Sequence, residues 1–203
     1  MKIRRRELVN GISTSLILVS GCLSGSTEEQ PRAGEFSISS SSFYNENSRN
    51  ILKYRHTRQG DNVSPSIQLH NLPNWCDRVA VALRDVTGST EIPLWLLWGR
   101  IPTEDRFPAK ISKTSQPDSL SSITQGTNDL GEVGYSGPDL HREYDSRDSH
   151  DNSTAIELTV FVFESKLNID PDSSYNDLIQ ALNKQRRSST SIFAKVASGP
   201  IRD

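Results

Sequence analysis

Gln125-Gly126-Thr127-Asn128-Asp129-Leu130-Gly131-Glu132-Val133-Gly134-Tyr135-Ser136-Gly137-Pro138 sets four glycines and a proline in one short segment. A generic linker has no need of the Asn128-Asp129 pair or of Tyr135, so this density specifies one backbone path. Glycine permits positive φ and close backbone approach. Gly126, Gly131, Gly134 and Gly137 can therefore build a walled loop that presents N–H groups to an oxygen-rich ligand.

Working outward, the loop is preceded by a Gly60-Asp61-Asn62-Val63-Ser64-Pro65 turn, a strand-like Arg78–Asp85 and an apolar Leu94–Ile101 that stops at Pro102. Val79, Val81 and Leu83 alternate with Ala80, Ala82 and Arg84, and Ala155–Phe163 is rich in β-branched and aromatic residues. Near its end the second run is apolar at both parities, as a central strand covered on both faces would be. Thr190–Ala197 supplies a late strand. One helix is expected, with Tyr175, Leu178, Ile179 and Leu182 at i, i+3, i+4 and i+7 and a cap at Asp172 or Ser173. Strands dominate, so the expected fold is mainly β, an antiparallel β-sandwich with a small C-terminal helix.

In this order the segments resemble the phosphatidylethanolamine-binding protein family, in particular its prokaryotic Raf-kinase-inhibitor-like branch. That branch carries a G-x-N-x-S-P turn, a D-P-D strand end, a W-x-H-W strand and a Q-G-x-N-D-x-G…G-Y-x-G-P loop. The resemblance runs from about Phe36 to Ala197. It implies a small pocket for a phosphate or phospholipid head group, and it implies no cofactor and no metal.

Carried over residue by residue, the resemblance places Asp85, Trp95, Tyr135, Gly137 and Pro138 in that pocket. Asp85 shares the parity of Val79, Val81 and Leu83, which puts a carboxylate on the apolar face at a strand end, where it must be solvated or paired. Much else departs from the family. The D-P-D triplet is Asp85-Val86-Thr87, the W-x-H-W histidine is Leu97, Asp139 replaces a proline, and the family's H-R-Y start falls at Thr154-Ala155-Ile156. Two imidazoles and a phenol are thus missing, each able to supply a charge-assisted bond of roughly 1.5–3 kcal/mol. His141 or His150 could fold back as substitutes, or be solvated in the polar Asp139–Asn152 segment. Trp95 and Trp98 could equally fill the core, and the glycines could serve the turns alone.

Residues 1–21 read as an export signal, with Lys2, Arg4, Arg5 and Arg6 ahead of a short apolar Gly11–Val19. That run is too short to span a bilayer. Val19-Ser20-Gly21-Cys22 resembles a lipobox, so Cys22 is expected to carry a lipid; the alternative is a plain cysteine in an ordinary signal. Arg5-Arg6-Glu7-Leu8-Val9 fits a twin-arginine export pattern or a simple basic n-region. Residues 22–35 have the composition of a flexible tether, leaving 36–203 as a single domain.

Removing residues 1–21 takes four of 23 Lys+Arg and one of 25 Asp+Glu, leaving 19 against 24 and a net charge of about −5. That balance argues against a nucleic-acid partner. With Cys22 lipidated, Cys76 is the single remaining thiol, so neither a disulfide framework nor a cysteine metal cluster is expected. Asn152-Ser153-Thr154 is a glycosylation sequon. No Ser-His-Asp order, H-E-x-x-H helix, phosphate loop or dinucleotide fingerprint is present, and the motifs supply neither the histidine nor the second carboxylate that acid–base work at Asp85 would require. The leading expectation is a membrane-anchored, exported, non-catalytic binding protein for a small anionic or phospholipid-like ligand, of weakened affinity. The alternative is an interaction or regulatory module of kinase- or protease-inhibitor type that keeps the fold without a competent pocket.

Overall fold

Arg78–Asp85 and Ala155–Phe163 form strands over those same residues, because their branched and aromatic side chains fill both faces of a sheet. In this computed structural model, which describes residues 35–143 and 154–199, the strands are β1 Ser37–Ser39, β2 Phe43–Glu46, β3 Arg49–Leu52, β4 Ile67–His70, β5 Arg78–Asp85, β6 Ile92–Arg100, β7 Arg106–Phe107, β8 Ile123–Gln125, β9 Ala155–Phe163 and β10 Arg187–Val196, with helix α1 at Tyr175–Leu182. A seven-stranded sheet runs β2-β3-β10-β9-β5-β6-β8, and a three-stranded sheet runs β1-β4-β7.

The antiparallel expectation holds for each pair but one, since β10 meets β3 in parallel through Lys195↔Ile51 and Val196↔Leu52. The direction of β10 is set by its long antiparallel ladder with β9, and that of β3 by its hairpin with β2.

The seven-stranded sheet has two apolar faces. On one, Val79, Val81, Leu83, Trp95, Leu97, Leu158 and Val160 pack against Ile67, Leu69 and Phe107 of the smaller sheet, which makes the sandwich. On the other, Ala80, Ala82, Leu96, Trp98, Phe161 and Phe163 are covered by Leu167 and by Leu178 and Leu182 of α1. Fully burying each large apolar side chain contributes about 1.5–3 kcal/mol, so both faces matter to stability.

Helix α1 is capped by Ser174, not by Asp172 or Ser173. The Ser174 hydroxyl accepts from the Asp177 N–H while the Asp177 carboxylate accepts from the Ser174 N–H, a reciprocal capping box. Ser173 is unavailable because its hydroxyl accepts from the Asp170 N–H at 3.0 Å. The bonds from Ser174 hold the Asp177 carboxyl below its ordinary value. Among the described residues no helix is long and apolar enough to cross a membrane.

Candidate functional site

The glycine-rich loop lies along β6. Its Gly126 N–H donates to Leu96 O at 2.9 Å, its Asp129 N–H to Pro93 O at 2.8 Å and its Ser136 N–H to Leu94 O at 2.9 Å. Pro93 is in register with Arg84, and Asp85 with both Ile92 and Ile156. The loop, Trp95, Asp85 and the start of β9 therefore share one end of the sheet, though they are distant in sequence.

Each residue expected to line the pocket is tied up by the protein itself. The Trp95 indole N–H donates to Gln125 Oε1 at 2.8 Å. Gln125 is fixed in that orientation because its Nε2 donates to two carbonyls, Ser112 O at 2.7 Å and Thr114 O at 2.8 Å, which can only accept. Tyr135 packs edge-on against Trp95, ring centroids 5.8 Å apart, and its hydroxyl donates to His56 O at 2.5 Å. Burial pushes the Tyr135 phenol far above its ordinary range, with the Arg58 guanidinium pulling the other way. It is therefore a neutral donor already in use.

Gly137 and Pro138 meet the 56–65 segment. The Gly137 N–H donates to Asn62 Oδ1 at 2.8 Å, and the Arg58 N–H donates to Pro138 O at 3.1 Å. A Cβ on Gly137 would lie 2.1 Å from His56 O, so glycine here serves a close backbone crossing. Asn62, at φ 51°, and Ser64, whose Oγ accepts from the Ile111 N–H at 2.9 Å, show why the G-x-N-x-S-P turn has those residues: it pins the loop from below.

Asp85 is buried, and its Oδ1 accepts from the Thr87 N–H at 3.0 Å and the Thr87 hydroxyl at 2.6 Å. Thr87 Oγ1 in turn accepts from the Ala155 N–H at 2.8 Å. The threonine that replaces the family's second aspartate thus bridges the ends of β5 and β9. Leu97 and Ile156, where the family has polar groups, are buried in the same apolar cluster as Trp95.

Three functional-looking side chains escaped the sequence reading. Arg58 Nη2 reaches both oxygens of Asp129 at 2.6 Å, while its Nε donates to Ser136 Oγ and Gly137 O at 3.0 Å. Arg142 Nη2 adds a second contact to Asp129 at 2.5 Å. Gln59 Nε2 donates to Asp139 Oδ1 at 2.6 Å. Asp139 is held below its ordinary value: burial raises it, but the His141 N–H, Gln59, Arg58 and Arg142 outweigh that. The available signal was Asp129, an acid inside a tight loop, which demands a cation once buried.

His56 is buried, with Nδ1 donating to Val63 O at 2.7 Å. Burial lowers its pKa against the pull of that bond. The His141 ring is exposed, with its backbone N–H on Asp139 at 3.0 Å. Cys76 is half-buried and its thiol is pushed up by burial. His150, the Asn152 sequon and Cys22 lie outside the described residues. Among the described residues no cluster of three or more His, Cys, Asp or Glu is placed to hold a metal.

A two-sheet β-sandwich with one helix on its outer face, the glycine-rich loop closing one end, is the phosphatidylethanolamine-binding protein fold. E. coli YbcL, a member of the mammalian PEBP family, superposes with a TM-score of 0.65 at 20% identity, over 83% of this chain and 99% of its own. A phosphatidylethanolamine-binding protein homologue from Chlamydia trachomatis gives 0.64 at 14%, over 82% and 99%. At these identities the likeness is one of fold. In sequence the chain is 25% identical over 176 residues to a UPF0098 protein of Pyrococcus horikoshii, covering 84% of this chain and 79% of that one. A UPF0098 protein of Pyrococcus abyssi is 25% identical over 172 residues, covering 82% and 85%. No family model matches the chain.

Proposed function

We propose that this chain is a non-catalytic binding protein whose family-type anion site is closed by its own hydrogen bonds, so that phosphoryl head groups bind it weakly. The observation that carries this reading is the internal use of the donors of Trp95, Tyr135 and Gly137. A phosphate would have to displace Gln125, His56 O or Asn62, and would gain only the excess over bonds already made. The replacement of imidazole by buried Leu97 removes the cationic donor that could provide that excess.

Calorimetry with phosphoethanolamine is expected to give a millimolar or weaker dissociation constant, no more than about 4 kcal/mol of binding. A micromolar constant would overturn the reading. The second reading, an interaction module of kinase- or protease-inhibitor type, is favoured by Leu130, a large apolar residue 53% exposed at the loop tip. Leu130→Asp would abolish such a contact and leave the calorimetry unchanged.

The lipobox at Val19–Cys22 supports anchoring by a lipid on Cys22 at the outer face of the cytoplasmic membrane, with 22–35 as tether. Metabolic lipid labelling should disappear in Cys22→Ser; undiminished label contradicts the anchor.

A further inference from the structure

On the opposite face of the seven-stranded sheet, at the end where β5 begins, a cavity of about 230 Å³ lies between β6, β8 and the 166–171 segment. Its apolar wall is Trp98, Phe163 and Leu167, and its polar lining includes Arg78, Lys166, Ser122 and Thr124. No carboxylate lines it.

Three side chains here have donors that make no hydrogen bond among the described residues. Trp98 is 5% exposed and its indole N–H makes no hydrogen bond among the described residues, although of the donors here only Arg78 Nε is itself fully buried without a partner. The Arg78 side chain makes no hydrogen bond among the described residues, and its buried Nε is left without an acceptor. The nearest carboxylate, Asp77, stands 3.3 Å from Nε but outside hydrogen-bond geometry, and it is shared with Arg100 at 3.4 Å. Lys166 has no ion-pair partner among the described residues. A buried donor left unmet is costly, and a guanidinium with five N–H groups matches a planar oxyanion.

We propose that this cavity is a binding site for a small amphipathic oxyanion, with an aromatic or compact apolar body against Trp98 and Phe163 and a carboxylate or phosphate head on Arg78 and Lys166. The volume lies below the roughly 300–1,000 Å³ of sites for drug-sized ligands, which limits the occupant to about one ring and its head group. The site is separate from the closed one beside Trp95, because Trp98 and Trp95 face opposite sides of the sheet.

The test is titration of the full chain with benzoate, phenyl phosphate and neutral benzyl alcohol, followed by nitrogen-15 NMR of the tryptophan indole N–H groups. One or both anions should shift the Trp98 signal saturably, and the stronger of the two identifies the head group. Benzyl alcohol should do so at least about tenfold more weakly. Arg78→Gln should weaken the anion about tenfold to a hundredfold, in line with loss of a charge-assisted bond. Lys166→Gln, at an exposed position where folding is not at risk, should weaken it severalfold. Absence of a saturable Trp98 shift with either anion, binding of benzyl alcohol as tight as that of the anions, or anion binding unchanged in Lys166→Gln and in a folded Arg78→Gln would overturn the site. Weak phosphoethanolamine binding is compatible with every one of these outcomes, so the two proposals fail separately.

Discussion

Trp95 and Trp98 lie three positions apart on β6, both buried, and look into opposite faces of one sheet. On the Trp95 side the indole, the Tyr135 hydroxyl and the Gly137 N–H all have partners inside the protein. On the Trp98 side the indole and the Arg78 guanidinium lack acceptors among the described residues, and a cavity adjoins them. Motif resemblance points to the first face, whereas hydrogen-bond accounting points to the second. A fold does not by itself carry a function, so motif residues such as Trp95 are a guide to architecture before they are a guide to binding.

The largest difference between the faces should be mechanical. Trp95→Ala is expected to destabilise the chain by about 3–5 kcal/mol, as it opens a cavity in the sandwich core and deprives Gln125 and Tyr135 of their contacts. Urea denaturation measures it; a loss below about 1 kcal/mol would mean that Trp95 is not integral to the core.

A smaller effect sharpens the question of the missing imidazole. Leu97→His restores the family residue, but Leu97 is fully buried in the apolar core of the sandwich, in register with Val81. The variant should lose about 2–3 kcal/mol and gain no phosphoethanolamine affinity, since an unpartnered polar group would be buried. Gain of micromolar binding would show that the pocket needed only its histidine.

The contrast between these positions also shows what was readable in advance. β5 and β9 were legible to the residue because alternation and β-branching extend over eight or nine positions. β1, β2, β3, β4, β7 and β8 are two to four residues long, too short for any period to emerge. The internal bonding at this end of the sheet was not legible, because it depends on pairs such as Arg58 with Asp129 and Asn62 with Gly137 that meet across more than seventy residues. The helix periodicity was visible, but the cap is Ser174, one residue beyond Ser173 and two beyond Asp172, since only the folded turn reveals that the Ser173 hydroxyl is already engaged.

The smallest expected effect is on pH. Burial lowers the His56 pKa, so the unfolded chain takes up the proton first. The stability tied to neutral His56 is complete above about 6.5 and is lost as pH falls from there through the lowered folded value. Urea midpoints should therefore fall between pH 7 and pH 5, above the range where Asp139 titrates, and His56→Gln should flatten that slope. A midpoint that rises on acidification would contradict the buried neutral assignment.

The most direct measurement follows the Trp95 indole N–H and the Gly137 amide by nitrogen-15 NMR during a phosphoethanolamine titration. If the donors of this face are held by Gln125 and Asn62, neither signal shifts saturably below about a millimolar. Saturable movement of both at micromolar ligand would show that the internal bonds yield to the anion, and the face described as closed would be an open binding site.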